Sequence, residues 1–208
     1  MTMDAQALRA ALECKGFLDA DEGMQLHELA CAQAALGPIV EIGSYCGKSS
    51  CYLGAGARAG GGVLICVDHH TGNEENQPGE LYHDPDLFDA RAGRLDSLPW
   101  FRETIRRAGL EDAVVAVVAR SARAAALFAI EAGMVFIDGG HTQIAADTDY
   151  ECWAPKVAPG GILAIHDLFP DPNEGGQAPI NIYRRAVASG LFDELPTVKT
   201  LGVLRRRR

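Results

Sequence analysis

The sequence predicts a doubly wound α/β domain with a mostly parallel, seven-stranded sheet and helices on both faces. Short, continuously apolar runs alternate with helical patterns along most of the chain, which is typical of strands buried on both faces. Two further apolar runs near the C-terminus follow each other without an intervening helix, and they predict an antiparallel pair at the end of the sheet. A length of 208 residues suits one domain with a full-sized core, so residues 1–208 are expected to form a single unit.

The elements are predicted in order along the chain. The first part, residues 1–36, should form two helices at about 4–14 and 21–36, and Gly37-Pro38 ends the second. Strands are then predicted at 39–42, 63–67, 113–118, 134–137 and 161–165, with helices at about 47–59, 99–108, 121–131 and 142–156. A last helix at about 180–189 precedes the strand pair at 191–195 and 200–204.

Two long segments, 69–98 and 167–179, carry no clear helical or strand pattern. Both follow predicted strands, so both should overhang the carboxyl edge of the sheet, where doubly wound folds bind their ligands. Loops of this length in a compact domain are usually functional. Segment 69–98 is therefore predicted to be a lid over the substrate.

Composition and charge exclude several classes of protein. The net charge of -9 argues against nucleic acid as a partner, because binding to phosphates needs clustered Lys and Arg. No apolar run reaches the roughly 18 residues that span a bilayer, and the N-terminus lacks the pattern of a signal peptide. The six cysteines form no C-x-x-C pair, so we expect reduced thiols in a cytoplasmic protein.

The stretch VEIGSYCGKSSCYL, residues 40–53, superficially resembles a nucleotide phosphate loop. A phosphate loop needs four residues between its first glycine and the Gly-Lys pair, and only three separate Gly43 from Gly47. Glu41, at the end of the preceding strand, would also repel a triphosphate. The G-x-G-x-x-G pattern of dinucleotide-binding enzymes is absent too, and a pyrophosphate would face the same carboxylate.

A cationic ligand reverses this electrostatic argument. S-adenosylmethionine carries a sulfonium and an ammonium group, which Glu41 can attract, while Gly43 lets the chain turn closely beneath the amino-acid part. The second predicted strand ends at Asp68, 25 residues after Gly43, where a carboxylate can accept both ribose hydroxyls. The sequence therefore favours a methyl donor over ATP or NAD.

The motif resembles the first motif of class I S-adenosylmethionine-dependent methyltransferases, and especially that of the small metal-dependent O-methyltransferases. Catechol-type members carry a nearly identical Glu-x-Gly-x-Tyr-x-Gly-x-Ser pattern, here Glu41, Gly43, Tyr45, Gly47 and Ser49, with Lys48 in place of an aromatic residue. The resemblance spans about residues 38–168 and implies the Rossmann-like methyltransferase fold and often a homodimer. It also implies a set of donor-binding residues: Glu41 at the ribose or the amino-acid part, Gly43, Ser44, Tyr45 and Ser49 at the methionine part, Asp68 at the ribose, Ser121 at the adenine and Asp138 nearby.

A catalytic site is predicted where FIDGGHTQ (136–143) and GGILAIHDLF (160–169) end the fourth and fifth predicted strands. Asp138, His166 and Asp167 should converge there, and two carboxylates with an imidazole suit Mg²⁺ or Mn²⁺. The resembling enzymes hold a metal at the matching positions, although they carry an acid in place of His166. Asp138 could instead cap a helix, and His166 could instead form hydrogen bonds within the sheet edge.

His141 is predicted to be the general base. The resembling catechol enzymes place a lysine at the same offset from the metal-binding acid, and a histidine with an ordinary pKa near 6.5 is neutral at pH 7. It could alternatively cap a helix.

The acceptor is predicted from segment 69–98, whose polar composition suits a sugar or another polyol. His69, His70, Glu74 and Tyr82 are the candidate substrate residues. The chain also resembles actinobacterial sugar O-methyltransferases, including those that act on macrolide sugars and on the mycobacterial methylmannose polysaccharide, so the acceptor could be a small molecule or an oligosaccharide. The alternatives are a catechol or phenol O-methyltransferase and a protein that binds the methyl donor without catalysis.

Overall fold

The structure is a computed structural model that describes residues 2–77, 79–80 and 83–208. The helices are α1 (Ala5–Glu13), α2 (Ala20–Gln33), α3 (Lys48–Ala59), α4 (Leu98–Ala108), α5 (Ser121–Leu127), α6 (Gln143–Trp153) and α7 (Ala178–Ala188). The strands are β1 (Ile39–Ile42), β2 (Leu64–Asp68), β3 (Phe88–Asp89), β4 (Arg94–Leu95), β5 (Val114–Val118), β6 (Ala132–Ile137), β7 (Val157–Ile165), β8 (Phe192–Val198) and β9 (Leu201–Arg206).

The main sheet confirms the predicted fold. In the described part of the chain its seven strands are ordered β5-β2-β1-β6-β7-β9-β8. The first five run parallel, whereas β9 pairs antiparallel with β7 and β8 pairs antiparallel with β9. The chain is thus a doubly wound, Rossmann-like domain with an antiparallel pair at one edge.

Both faces of the sheet are covered, because consecutive strand residues point to opposite sides. In β1, Ile39 packs into the core under α1–α4, and Val40 packs into the core under α5–α7. The same alternation continues in β6, where Phe136 joins the first core and Val135 joins the second. The continuous apolar runs of the sequence therefore reflect burial on two sides.

Some element boundaries differ from the prediction. Strand β7 begins at Val157 instead of residue 161 and continues through Pro159 and Gly160, two residues that normally interrupt a strand. A register shift between β6 and β7 accommodates them, because Ala132 pairs with Val157 before regular pairing resumes. Helix α5 ends at Leu127, which is shorter than predicted.

Segment 69–98 is more regular than the sequence suggests. It contains 3₁₀ turns at Glu74–Asn76 and Pro85–Leu87, followed by the β3–β4 hairpin. Leu87 and Leu95 are almost fully buried in a small core with Cys46, which lies in the loop after β1. The segment is thus anchored on the β1 loop, so the prediction of an irregular loop is wrong, while its role as a lid stays a prediction.

Two further sequence expectations concern the cysteines and the membrane. The described residues include all six cysteines, and no disulfide joins any of them. Within the described residues, no helix combines the length and the apolar character needed to cross a bilayer.

Candidate functional site

The carboxyl ends of β1 and β6 form the point where the doubly wound topology reverses. Strand β1 lies between β2 and β6, so the chain winds outward in one direction through β2 and β5 and then crosses to β6. Gly43 follows β1 with a φ of 86°, and a Cβ atom at this position would lie 2.0 Å from the carbonyl oxygen of Asp138. Only glycine fits this close contact, which brings the loops after the two strands together at the expected ligand edge.

The loop after β1 is held by Asp68 at the end of β2. The backbone N–H groups of Ser44 and Tyr45 both donate to Asp68 Oδ2, each at 2.9 Å, and the N–H of His70 donates to Oδ1 at 2.7 Å. Tyr45 and His70 adopt positive φ angles of 46° and 58°, which are costly for residues other than glycine. Strained residues that are fixed by one carboxylate indicate a loop built for a function.

Glu41 lies beneath this loop and has no exposed surface. The Ser50 hydroxyl donates to Glu41 Oε2, while no described residue forms a hydrogen bond with Oε1. Burial raises the pKa of the Glu41 carboxyl to about 7, although the neighbouring hydroxyls of Ser49 and Ser50 oppose that rise. The carboxyl group of Glu41 is thus enclosed in the structure, and its direct contact with a ligand stays a prediction.

A second carboxylate, Asp149 of α6, lies on the other side of the loops. A Cβ atom on Gly139 would lie 2.5 Å from Asp149 Oδ2, so the helix packs directly beneath the loop after β6. Burial raises the pKa of Asp149 to about 6, while a hydrogen bond with Ser121 opposes the rise and the charge of Asp68 adds to it. The Ser121 hydroxyl also accepts a hydrogen bond from Trp153 Nε1 at 2.9 Å.

The candidate metal site combines Asp138, His141 and Asp167. Among the described residues, these three each offer a ligand atom such that all three atoms lie within 4.8 Å of one another. Asp138 follows β6 and Asp167 follows β7, whose carboxyl ends are adjacent, and Asp167 turns back at a φ of 59°. The structure therefore brings together the predicted ligands Asp138 and Asp167 with the predicted base His141.

His166, the third predicted ligand, lies outside this group of three, and its role as a metal ligand stays a prediction. Its Nε2 atom lies 3.0 Å from Glu22 Oε2 and its Nδ1 atom lies 3.2 Å from Asp138 Oδ1. Burial acts to lower the pKa of His166, but the charge of Asp138 and the hydrogen bonds to both carboxylates outweigh it and raise the pKa to about 11. In the structure His166 is therefore held between the carboxylates of Glu22 and Asp138.

Glu22, on α2, is the buried acid that pairs with His166. Its other oxygen, Oε1, accepts hydrogen bonds from the backbone N–H and the hydroxyl of Thr200, each at 2.8 Å. Burial acts to raise the pKa of Glu22, but the bonds from His166 and Thr200 dominate and lower it to about 2. The pair thus joins α2, β7 and the turn before β9 directly behind the metal group.

His141 lies between two acids. Its Nε2 atom is 3.1 Å from Asp167 Oδ2, and its Nδ1 atom is 3.1 Å from Glu75 Oε2. The hydrogen bond to Asp167 raises the pKa of His141 to about 9, more than burial lowers it. The pKa of His141 thus lies above the ordinary value used in the sequence-based prediction, and its role as general base stays a prediction.

The remaining predicted residues lie in different surroundings. His70 is buried, with Nδ1 2.8 Å from Ser97 Oγ and its ring against Phe101, and its contact with substrate stays a prediction. His69 is half-buried and its Nδ1 atom lies 2.7 Å from Thr71 Oγ1. Glu74 is exposed, and Tyr82 lies outside the described residues.

Sequence reasoning missed Glu22, Glu75 and Asp149. Glu22 shows only a helix-capping signal, because it forms a capping box with Asp19. Glu75 lies in a segment with many acids, and only the structure distinguishes it from its neighbours. Asp149 could have been found, because it is a carboxylate in the middle of a helix that follows a strand end.

Comparisons with known proteins agree with the fold. The crystal structure of the O-methyltransferase TomG from Streptomyces achromogenes in complex with SAM has a TM-score of 0.67 at 17% identity, covering 100% of this chain and 92% of that chain. An O-methyltransferase from Bacillus cereus in complex with SAH has a TM-score of 0.67 at 17% identity, covering 99% and 92%. The O-methyltransferase NovP has a TM-score of 0.66 at 17% identity, covering 90% and 79%.

These similarities show a shared fold, and a direct family match goes further. The family model described as "Methyltransferase domain" matches residues 40–168, from β1 through the candidate metal site. The match covers more than half of the chain and includes both the glycine loop and the ends of β6 and β7. The chain therefore belongs to the Methyltransferase domain family.

Proposed function

We propose that the protein transfers a methyl group from S-adenosylmethionine to a hydroxyl group of an acceptor, with the help of a divalent metal. The observation that carries the proposal is the convergence of Asp138, His141 and Asp167 beside the glycine loop of a methyltransferase domain. The three fold neighbours named above are O-methyltransferases, and two of them have SAM or SAH bound. A base and two carboxylates at the donor edge suit the removal of a proton from a hydroxyl.

The donor would lie across the carboxyl ends of β1 and β2. In this proposal Gly43, Ser44, Tyr45 and Ser49 line the methionine part. Asp68 accepts from a ribose hydroxyl with the one lone pair of Oδ1 that the loop amides leave free, and Ser121 lies at the adenine. Asp138 borders the same pocket through its contact with Gly43. Glu41 acts from below, because its negative charge favours a cationic donor without direct contact.

The side chains of the candidate metal site fit a divalent ion. Mg²⁺ is commonly bound through one or two carboxylates and retains water at its other positions, so Asp138 and Asp167 suffice as protein ligands. The imidazole of His141, which lies close to the same two carboxylates, also permits Mn²⁺. When bound, such an ion lowers the pKa of a coordinated hydroxyl. The carboxylates of Asp138 and Asp167 hold the negative charge that this ion requires.

His141 takes the proton at Nε2 in this proposal. The Nε2 atom faces Asp167, on the side of the metal group, while Nδ1 is turned away toward Glu75. Nε2 has one lone pair, so it cannot bind the ion and accept a proton at once. Because two carboxylates already serve a hard ion, we assign Nε2 to the proton. The proton now held between His141 and Asp167 must leave before the base acts.

The acceptor is proposed to be a sugar or another polyol. The polar character of segment 69–98 supports this, as does the carboxylate of Glu75, which the segment places against His141. A mannoside within an oligosaccharide fits the same description, and a homodimer could complete the acceptor cleft. A catechol or phenol is the competing acceptor class.

Methyl transfer and metal dependence test the proposal together. Purified protein is incubated with S-adenosylmethionine carrying a labelled methyl group and either methyl α-D-mannopyranoside or catechol, with Mg²⁺, Mn²⁺ or EDTA. We expect methyl transfer to the mannoside. This transfer should be lost in EDTA and should recover when Mg²⁺ or Mn²⁺ is added. Transfer to catechol alone would assign the competing acceptor class, and donor binding without transfer to either acceptor would support a non-catalytic protein.

Two variants separate the ligands from the base. Asp167→Asn should behave like EDTA, whereas Asp171→Asn, an exposed carboxylate on the same loop, should not. His141→Ala should retain binding of Mn²⁺ and donor while turnover falls by about 10²–10⁴-fold, the usual contribution of a positioned base. Loss of Mn²⁺ binding in His141→Ala would instead make the imidazole a ligand.

A further inference from the structure

Glu75 is the described residue of segment 69–98 that contacts the candidate base. Its Oε2 atom lies 3.1 Å from His141 Nδ1, and the other ring nitrogen lies 3.1 Å from Asp167 Oδ2. One end of the imidazole is thus held by the segment over the site, and the other end faces the metal group. Both side chains are partly buried, with 28% of the His141 side chain and 36% of the Glu75 side chain exposed.

A carboxylate at Nδ1 decides how the ring can work. An ionised carboxylate only accepts hydrogen bonds, so Nδ1 must carry a hydrogen atom and donate it. The remaining nitrogen, Nε2, then faces Asp167 and the metal group. Without the contact to Glu75 the ring is held at Asp167 alone, and turning it over would present Nδ1 to the metal group in place of Nε2.

The turn that carries Glu75 is itself well fixed. The Asn73 side chain accepts a hydrogen bond from the backbone N–H of Glu75 at 3.1 Å, and Gln77 Nε2 donates to the carbonyl of Asn73 at 2.8 Å. A Cβ atom on Gly140 would lie 3.7 Å from the Cβ atom of Asn73, so the turn rests against the loop that leads to His141. The position of Glu75 therefore follows from the placement of the turn.

We propose that Glu75 is a positioning residue that holds His141 with Nε2 directed at the acceptor and thereby couples the lid segment to the base. This inference rests on the proposed function, because it assigns a role to Glu75 only if His141 is the base. When the turn is seated, the ring is oriented; when the turn moves away, the ring loses its orientation. Substrate access and readiness of the base are thus linked through one hydrogen bond.

The test compares three variants of the full-length protein. Glu75→Ala removes the carboxylate, and Glu75→Gln keeps an oxygen that can accept from Nδ1. Glu80→Ala removes an exposed carboxylate from the same segment and is the control. NMR spectra of protein with ¹⁵N-labelled histidine report a slowly exchanging proton on His141 Nδ1, and His141→Ala identifies that signal by its absence.

We expect wild type, Glu75→Gln and Glu80→Ala to show the Nδ1 proton and Glu75→Ala to lose it. In the methyl-transfer assay, kcat should fall about 10–100-fold in Glu75→Ala, the usual effect of removing a residue that orients a functional histidine. The KM for the donor and the affinity for Mn²⁺ should stay unchanged, and Glu75→Gln should restore most of kcat.

Three results would overturn the inference: an intact Nδ1 proton in Glu75→Ala, an unchanged kcat after that proton is lost, or equal losses of kcat in Glu75→Gln and Glu75→Ala. Failure of the proposed function is distinguishable, since wild type would then transfer no methyl group to either acceptor. In that case the NMR spectra would still decide whether Glu75 holds the ring.

Discussion

Replacing Glu41 with glutamine should make the protein more stable, by an amount that grows as the pH rises from about 4.5 to about 7 and then levels off. Glu41 has no exposed surface, and burial raises its pKa from 4.5 to about 7. The folded protein therefore binds more protons than the unfolded chain between these two values, so the free energy of unfolding must fall as the pH rises through them. Glutamine resembles the neutral carboxyl group in size and does not titrate.

The size of the effect follows from the two pKa values. The charge on Glu41 should cost about 1 kcal/mol of stability at pH 5 and about 3 kcal/mol at pH 8, relative to a group that stays neutral. The stability advantage of Glu41→Gln should therefore increase by about 2 kcal/mol over this range. Urea unfolding followed by tryptophan fluorescence at several pH values measures it.

Comparing the variant with wild type cancels the titration of other groups. Glu111→Gln, at an exposed position, is the matched control and should show no such trend. A constant difference between Glu41→Gln and wild type across the pH range would refute the reasoning, because it would mean that Glu41 keeps an ordinary pKa despite its burial.

The remaining predictions concern packing and ion pairing. Gly43→Ala should cost about 2–5 kcal/mol because its Cβ atom would meet a carbonyl oxygen at 2.0 Å, whereas Gly61→Ala, at a φ of 78° in open space, should cost only about 1–2 kcal/mol; urea unfolding compares them. Leu95→Ala should cost about 2–5 kcal/mol and increase hydrogen exchange in the lid segment, and unchanged exchange would contradict its role as an anchor. His166→Ala should cost about 3–5 kcal/mol by leaving a buried carboxylate unpaired, and most of this loss should disappear when Glu22→Gln is added; additive losses would contradict the pairing.

The parts of the fold that periodicity controls could be predicted from the sequence. Apolar runs such as Ile39–Ile42 are strands because both of their faces are buried, and the sequence pattern reports that burial directly. The start of β7 could not be predicted, because Pro159 and Gly160 are tolerated only through a register shift with β6. Whether β7 can include these two residues therefore depends on its pairing with β6 and not on its own sequence.

The site residues likewise divide into those that a sequence pattern predicts and those that depend on distant parts of the chain. The prediction that Asp138 and Asp167 lie together is correct, because both follow strands that are adjacent and parallel and therefore end at the same edge of the sheet. The contact of His166 with Glu22 could not be predicted, because Glu22 is 144 residues away in the chain and approaches it only through the packing of α2. The surroundings of His70 and the role of Glu75 likewise depend on contacts between distant segments, which no local pattern encodes.

The most direct test of the central claim is a crystal structure with S-adenosylhomocysteine and Mn²⁺, in which anomalous scattering locates the ion. We predict the nucleoside across the carboxyl ends of β1 and β2, with its ribose at Asp68, and a manganese peak bonded to carboxylate oxygens of Asp138 and Asp167. His141 Nε2 should lie beside the ion, at hydrogen-bonding distance from an ordered water or acceptor oxygen. A bound nucleoside without any manganese peak at these two carboxylates would contradict the metal-assisted mechanism.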